Sequence, residues 1–206
     1  MFPIFKILRL LKGFFILSTQ KDLIPREIIQ SFPKIIEKIL NFIISRNDSN
    51  LSESLQKLGP TWIKMGQFLS TRPDVIGKEL SDQLRELQDN LPAFDKKYVE
   101  EFLTLSFGKD YKKIFTEINE PVAAASIAQV HKAQINIEGK KKYVALKILR
   151  PNILNRIKKD LEDFYFAANF LEKISSEARR LRAVEIVKTL EESLFMEVDL
   201  RLEGAA

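Results

Sequence analysis

Residues 123–130 read AAASIAQV, and residues 144–147 read VALK. With glycine at positions 123, 125 and 128, the first stretch would be G-x-G-x-x-G-x-V. That frame describes a loop lying over nucleotide phosphates, and the lysine of a following strand would contact the same phosphates. Glycine suits such a loop because it adopts positive φ and lets backbone N–H groups approach phosphate with no Cβ in the way. Alanine resists left-handed φ. Ala123, Ala125 and Ala128 therefore predict a loop that keeps the frame but is stiffer than a glycine loop. Taken alone, AAASIA is also simply a tightly packed small-residue turn.

Outward from this loop, IFTEI (114–118), SIAQVHKAQIN (126–136) and KKYVALKIL (141–149) are β-like, with IEGKK (137–141) as a hairpin turn. The chain before them is helical in pattern. IIEKILNFIISR (35–46) has apolar residues at helix spacing, and LGP (58–60) is a break with Thr61 as candidate N-cap of the next helix. Pro73 disfavours helix at Arg72. KELSDQLRELQDN (78–90) carries Leu80, Leu84 and Leu87 on one face. Asp95 caps the helix that follows, and Gly108 stands where a C-terminal glycine belongs. Beyond the sheet, Pro151 opens a helical stretch to about Ser176, and residues 184–206 are helical in pattern to the end. The expected organisation is α+β: an N-terminal helical region (1–57), a second helical region (58–108), and a small antiparallel sheet with helices (109–206).

Composition narrows the chemistry. The chain has 206 residues, 45% of them hydrophobic and 30% charged, which suits a folded domain. Its net charge of +5 favours anionic partners without choosing among them. Cysteine is absent and His131 is the one histidine, which excludes disulfides, thiol nucleophiles and His-pair zinc sites. No apolar run approaches the roughly 20 residues of a membrane-spanning helix. In MFPIFKILRLLKGFFILS (1–18), Lys6, Arg9 and Lys12 lie along one helical face. Two readings stand for this segment: an interfacial membrane contact, or a helix packed on its own domain.

Four stretches fall in one order: KMGQFLSTRPD (64–74), PVAAASIAQVHKA (121–133), YVALKILRP (143–151) and FMEVDLRLEGAA (195–206). Together they resemble the UbiB/ADCK family of atypical kinase-like proteins, linked to ubiquinone (coenzyme Q) biosynthesis. LQDNLP (87–92), RP (150–151) and DL (160–161) are also similar to that family. The resemblance implies a protein-kinase-like N-lobe with a helical extension. It implies that Ala123, Ala124, Ala125, Ser126, Ala128 and Val130 form an alanine-rich nucleotide loop with altered nucleotide preference. Lys147 is expected to contact the phosphates of ATP or ADP, paired with Glu203; a strand lysine pointing to solvent is the other reading. Lys64, Gly66 and Gln67 form the K-x-G-Q helix over the site, with Glu197 and Asp199 as partners of Lys64. The reverse carboxylate assignment, Glu197 to Lys147, stands beside it. Arg72 and Asp74 are expected to form a structural salt bridge, and Gln129 and His131 to decorate the strand after the loop.

No H-R-D-like catalytic loop and no D-F-G motif follows Lys147. The sequence is therefore expected to be an N-lobe without its C-lobe, catalytically silent alone, with Mg2+ bound only when a C-lobe is present. Two functions remain in view. One is the nucleotide-binding part of a UbiB-type ATPase or kinase acting on membrane-held polyprenyl quinone precursors, together with other ubiquinone-biosynthesis proteins. The other is a non-enzymatic, membrane-associated scaffold with a vestigial kinase-like lobe. The expected location is cytoplasmic, peripheral to a bacterial-type inner membrane, with no nucleic-acid partner.

Overall fold

The structure, a computed structural model, describes residues 51–201 except 86, 88–90 and 138. The basic face of residues 1–18, most of the 1–57 region and Glu203 lie outside the described residues. Helices and strands run in the order α1 (Leu51–Leu58), α2 (Pro60–Ser70), α3 (Pro73–Ile76), α4 (Lys78–Arg85), α5 (Lys96–Phe107), α6 (Tyr111–Ile114), β1 (Phe115–Ala124), β2 (Ala128–Ile137), β3 (Lys140–Leu149), α7 (Ile153–Ile174), α8 (Ser176–Leu181) and α9 (Ala183–Val198). They divide into two compact units: the described residues of Met1–Gln88 with Asn155–Met196, and those of Asp89–Leu154 with Glu197–Ala206.

The first unit is helical. Gly59, not Thr61, precedes α2; it adopts φ 107°, and Pro60 takes the first helical position, where a missing N–H is harmless. Thr61 is instead fully buried inside the first turn, so the expected side-chain cap gives way to packing. The positive φ at Gly59 also brings the chain against α7, where Arg156 donates to the carbonyl of Leu58 at 2.8 Å. α2 ends at Ser70 and Arg72 is non-helical, as expected of a residue before proline, and Pro73 itself opens α3. Leu80, Leu84 and Leu87 are all buried, although α4 stops at Arg85 and Leu87 follows it in non-helical chain. Ile157, Leu161, Phe164 and Ala168 form the buried stripe of α7, and Val187, Leu190 and Leu194 that of α9. Trp62 meets Phe164 edge to face at 4.7 Å between centroids. Of the two helical stretches expected beyond the sheet, the first is α7, ending at Ile174. The second is α9, which stops at Val198 rather than running to the end, and the short α8 lies between them. Ser175 caps α8 through its hydroxyl, and Arg182 turns the chain at φ 53° before α9.

The second unit carries the sheet, ordered β1-β2-β3 and antiparallel throughout. Asp95 accepts from the N–H of Lys97 at 2.8 Å and starts α5; Gly108 at φ 77° ends it. Val99 and Leu103 of α5 and Tyr111 of α6 pack with Phe115, Ala133 and Ile148 to form the core against one sheet face. Gly139, at φ 78°, turns β2 into β3. β1 is an edge strand, the position in a sheet where proline is tolerated, and Pro121 lies in it. Irregular register between Ile118 and Pro121 bends this strand. β1 runs further than IFTEI suggests and takes in Ala123 and Ala124, so the alanine stretch is half strand and half turn.

Candidate functional site

The alanine frame forms the β1–β2 hairpin. Ala124 pairs with Gln129, Ala123 with Val130, and the N–H of Ala125 donates to the carbonyl of Ala128 at 2.8 Å. No described residue from Pro121 to Leu149 except Gly139 has positive φ. The three alanines at the glycine positions of the frame thus sit in conformations any L-residue accepts, and the turn is closed without left-handed backbone.

Register decides what this turn stands beside. Val130 is opposite Ala123 on one side and opposite Lys147 on the other. Directly opposed residues in an antiparallel sheet share a face, so Ala123, Val130 and Lys147 form one row across all three strands. The core residues Ala133 and Ile148 belong to the alternate set and face α5. Lys147 therefore lies on the sheet face opposite this core, two residues before the end of β3. The same face holds Lys132, whose ammonium sits 4.3 Å from the centre of the Tyr143 ring.

The other sheet face holds residues that the sequence reading treated as decoration. Gln129 and His131 are almost fully buried, because strand alternation sends them to the side of Ala133. They do not decorate the strand; they join it to the chain before α5. The N–H of Phe94 donates to Oε1 of Gln129 at 2.9 Å, and Gln129 Nε2 lies 2.9 Å from His131 Nε2. His131 Nδ1 is 2.7 Å from the carbonyl of Asn119, in the irregular part of β1. Nδ1 must donate to that carbonyl, so Nε2 accepts from the Gln129 amide, and every member is satisfied by one tautomer.

Arg150 stands in the sequence only as half of an RP pair, and its role is not legible there. Its Nε donates to the carbonyl of Ala125 at 2.9 Å and its Nη2 to the carbonyl of Pro92 at 3.0 Å. Its backbone N–H donates to the carbonyl of Ile127 at 2.8 Å. The N–H of Leu91 donates to the carbonyl of Ala124 at 3.1 Å. Residues 91–94 therefore form a strap along the hairpin. The available signal was the pair LQDNLP and RP, which has no local periodicity to reveal a contact.

Among the other expected site residues, Gly66 lies where the helices of the first unit come together. A Cβ there would stand 2.7 Å from Leu55 Cδ1 and 2.8 Å from Leu87 Cδ2. Gln67, one residue on, reaches the carbonyl of Leu87 at 3.5 Å, and Lys64 shares its helix. Glu197 and Asp199 are at the end of α9 and belong to the second unit. Asp199 is held by Arg201 in a forked pair of 2.7 and 2.6 Å. This hydrogen bonding lowers the Asp199 carboxyl below its ordinary range and raises the Arg201 guanidinium. Arg72 and Asp74 form a matching fork, with a shortest contact of 2.7 Å, at the start of α3. Among the described residues, no three acidic or histidine side chains gather as a metal site.

The sequence that builds this geometry matches a known family. Residues 86–206 fit the ABC1 atypical kinase-like domain. The chain belongs to this family. Its three-stranded sheet, alanine hairpin and flanking helices are the kinase-like N-lobe of an ABC1 domain. Three bacterial relatives, each called a probable protein kinase UbiB, extend the match. The protein of Histophilus somni is 45% identical over 154 residues, 74% of this chain and 28% of the relative. That of Glaesserella parasuis is 46% identical over 155 residues, 73% of this chain and 28% of the relative. That of Aliivibrio salmonicida is 38% identical over 190 residues, 89% of this chain and 35% of the relative. The chain thus spans about a third of the length of the curated relatives it matches. Among the described residues, no helix is long and apolar enough to cross a membrane.

Proposed function

We propose that this ABC1 chain is the nucleotide-binding part of a UbiB-type atypical kinase or ATPase that supports ubiquinone biosynthesis. The observation that carries the reading is the row Ala123–Val130–Lys147, which sets an ammonium beside the alanine hairpin on the face away from the core. An ammonium in that place serves the phosphates of ATP or ADP as a point charge, while Ala124, Ala125, Ser126 and Ala128 line the turn above them. The carboxylate proposed for Lys147 is Glu203, with Glu197 as the alternative. Lys64, Gly66 and Gln67 of the first unit, and Glu197 and Asp199 of the second, are assigned regulatory roles in this reading. Mg2+ enters with a kinase C-lobe, and the 206 residues alone bind nucleotide weakly and turn none over. The work of the whole protein is done at the cytoplasmic surface of a bacterial inner membrane, on polyprenyl quinone precursors held in lipid.

The test is titration of the chain with ADP and with ATP, followed by the amide NMR shifts of residues 123–130 and 144–149. Saturable shifts in both strands support the reading. Lys147→Ala should weaken the affinity at least tenfold while leaving the spectrum of α5 intact. Absence of any shift at millimolar nucleotide, or an unchanged affinity in Lys147→Ala, removes Lys147 from phosphate binding.

A further inference from the structure

An alanine hairpin could still present its amides to phosphate if its peptide planes were free to rotate. In a trans peptide the C=O and the following N–H point in opposite directions, so fixing a carbonyl fixes the direction of the next amide. Around this turn the carbonyls of Ala124, Ala125, Ile127 and Ala128 are all taken. Ala124 O accepts from Leu91 N–H at 3.1 Å, Ala125 O from Arg150 Nε at 2.9 Å, and Ile127 O from Arg150 N–H at 2.8 Å. Ala128 O accepts from Ala125 N–H at 2.8 Å. The same guanidinium anchors itself on Pro92 O at 3.0 Å and lies 5.8 Å from the centre of the Phe94 ring. Arg150 thus holds the turn by side chain and by backbone and ties it to the strap through its planar fork.

We propose that Arg150 is the positioning residue of the alanine turn. By clamping the carbonyls of Ala125 and Pro92 it fixes the direction of the Ser126 amide and restricts how far along a polyphosphate the turn's amides can follow. This rests on the nucleotide reading above and assigns a control element to that same site. Alanine limits the conformations open to each residue; Arg150 limits rotation of the peptide unit between two of them. A clamped turn serves a nucleoside diphosphate as well as a triphosphate, because its amides cannot swing out to a third phosphate. A released turn gains contact with the γ-phosphate and shifts the preference toward ATP.

The experiment compares the 206-residue chain with Arg150→Gln and Arg150→Lys by amide hydrogen exchange, then by ADP and ATP titration read from amide shifts. In Arg150→Gln, exchange at Ala125 and Ser126 should accelerate at least tenfold, while α5 amides keep their protection. The ratio of ATP to ADP affinity should rise at least fivefold. Arg150→Lys keeps the charge but not the fork, and should resemble Arg150→Gln rather than the parent. If Arg150→Gln loses protection in α5 as well, Arg150→Lys supplies the comparison. An unchanged ATP-to-ADP ratio, in proteins that do bind nucleotide, overturns the inference and leaves the nucleotide reading standing. Binding of neither nucleotide by any of the three proteins overturns both.

Discussion

Gln129 Nε2 stands 2.9 Å from His131 Nε2, between two neighbouring core-side positions of one strand. The contact lets a single glutamine satisfy the imidazole and, through its other atom, the N–H of Phe94. Gln129→Leu preserves much of the volume but leaves that N–H and the imidazole without partners. The expected loss is about 1–3 kcal/mol, the usual penalty for orphaning a buried polar group. Urea unfolding of the chain measures it, and accelerated exchange at the Phe94 amide locates it. A variant as stable as the parent would mean that the strap is not held through this side chain.

Gly66 should reject even one methyl group. Its added Cβ would meet Leu55 and Leu87, which are both buried and have little room to retreat. Helix propensity favours alanine by roughly 1 kcal/mol, but overpacking costs about 1–3 kcal/mol. Gly66→Ala is therefore expected to destabilise the helical unit by about 1–2 kcal/mol in denaturant unfolding. A stabilised variant would show that the neighbouring leucines move at little cost.

Glycine at position 125 tests the backbone directly. It opens positive φ at the residue whose carbonyl Arg150 holds. In a full-length relative carrying this N-lobe, Ala125→Gly should raise ATP affinity relative to ADP by about 1–2 kcal/mol, the worth of one charge-assisted hydrogen bond. Calorimetry with both nucleotides measures the change, and Lys147→Ala is the control that removes the phosphate contact. An unchanged preference would reduce Ala125 to packing.

Tyr165 should titrate late. Burial, and then donation of its hydroxyl to Glu191 Oε2 at 2.6 Å, push its pKa up to about 12. A raised folded-state value means that the contribution of this pair is fully present below the ordinary tyrosine range near 10. It is lost as pH rises toward about 12. Tyrosinate absorbance should show one of the four tyrosines ionising near that upper limit. Glu191→Gln should lower that late step.

Asp199 should behave in the opposite sense. The Arg201 fork depresses its carboxyl, so any stability it lends is present above the ordinary aspartate value and lost as pH falls through the depressed one. The pair is open to solvent, and its effect on stability is correspondingly small. Carboxyl NMR titration should find Asp199 below its normal range, and Arg201→Gln should return it upward.

The sequence by itself determined what depends on near neighbours. Asp95 and Gly108 bound α5 because a cap and a positive-φ stop are properties of a few adjacent residues. The strand alternation of 128–137 and 140–149, with a glycine between them, specified the β2–β3 hairpin, and the A-x-A-x-x-A-x-V frame specified the turn before it. Tertiary structure decided what joins distant residues. Arg150 meets Ala125 and Pro92 across 25 and 58 positions, and Gln129 meets Phe94 across 35. A guanidinium or an amide carries no periodic signal naming its partner, because side-chain reach and not chain order decides which carbonyl it finds. Thr61 and Gly59 show the same limit at close range. The local pattern favoured a threonine cap, but burial of Thr61 and the approach of Arg156 to Leu58 gave the helix start to a glycine and a proline. Packing overrode a preference worth about 1 kcal/mol because a buried helix end gains more from its neighbours than from its own cap.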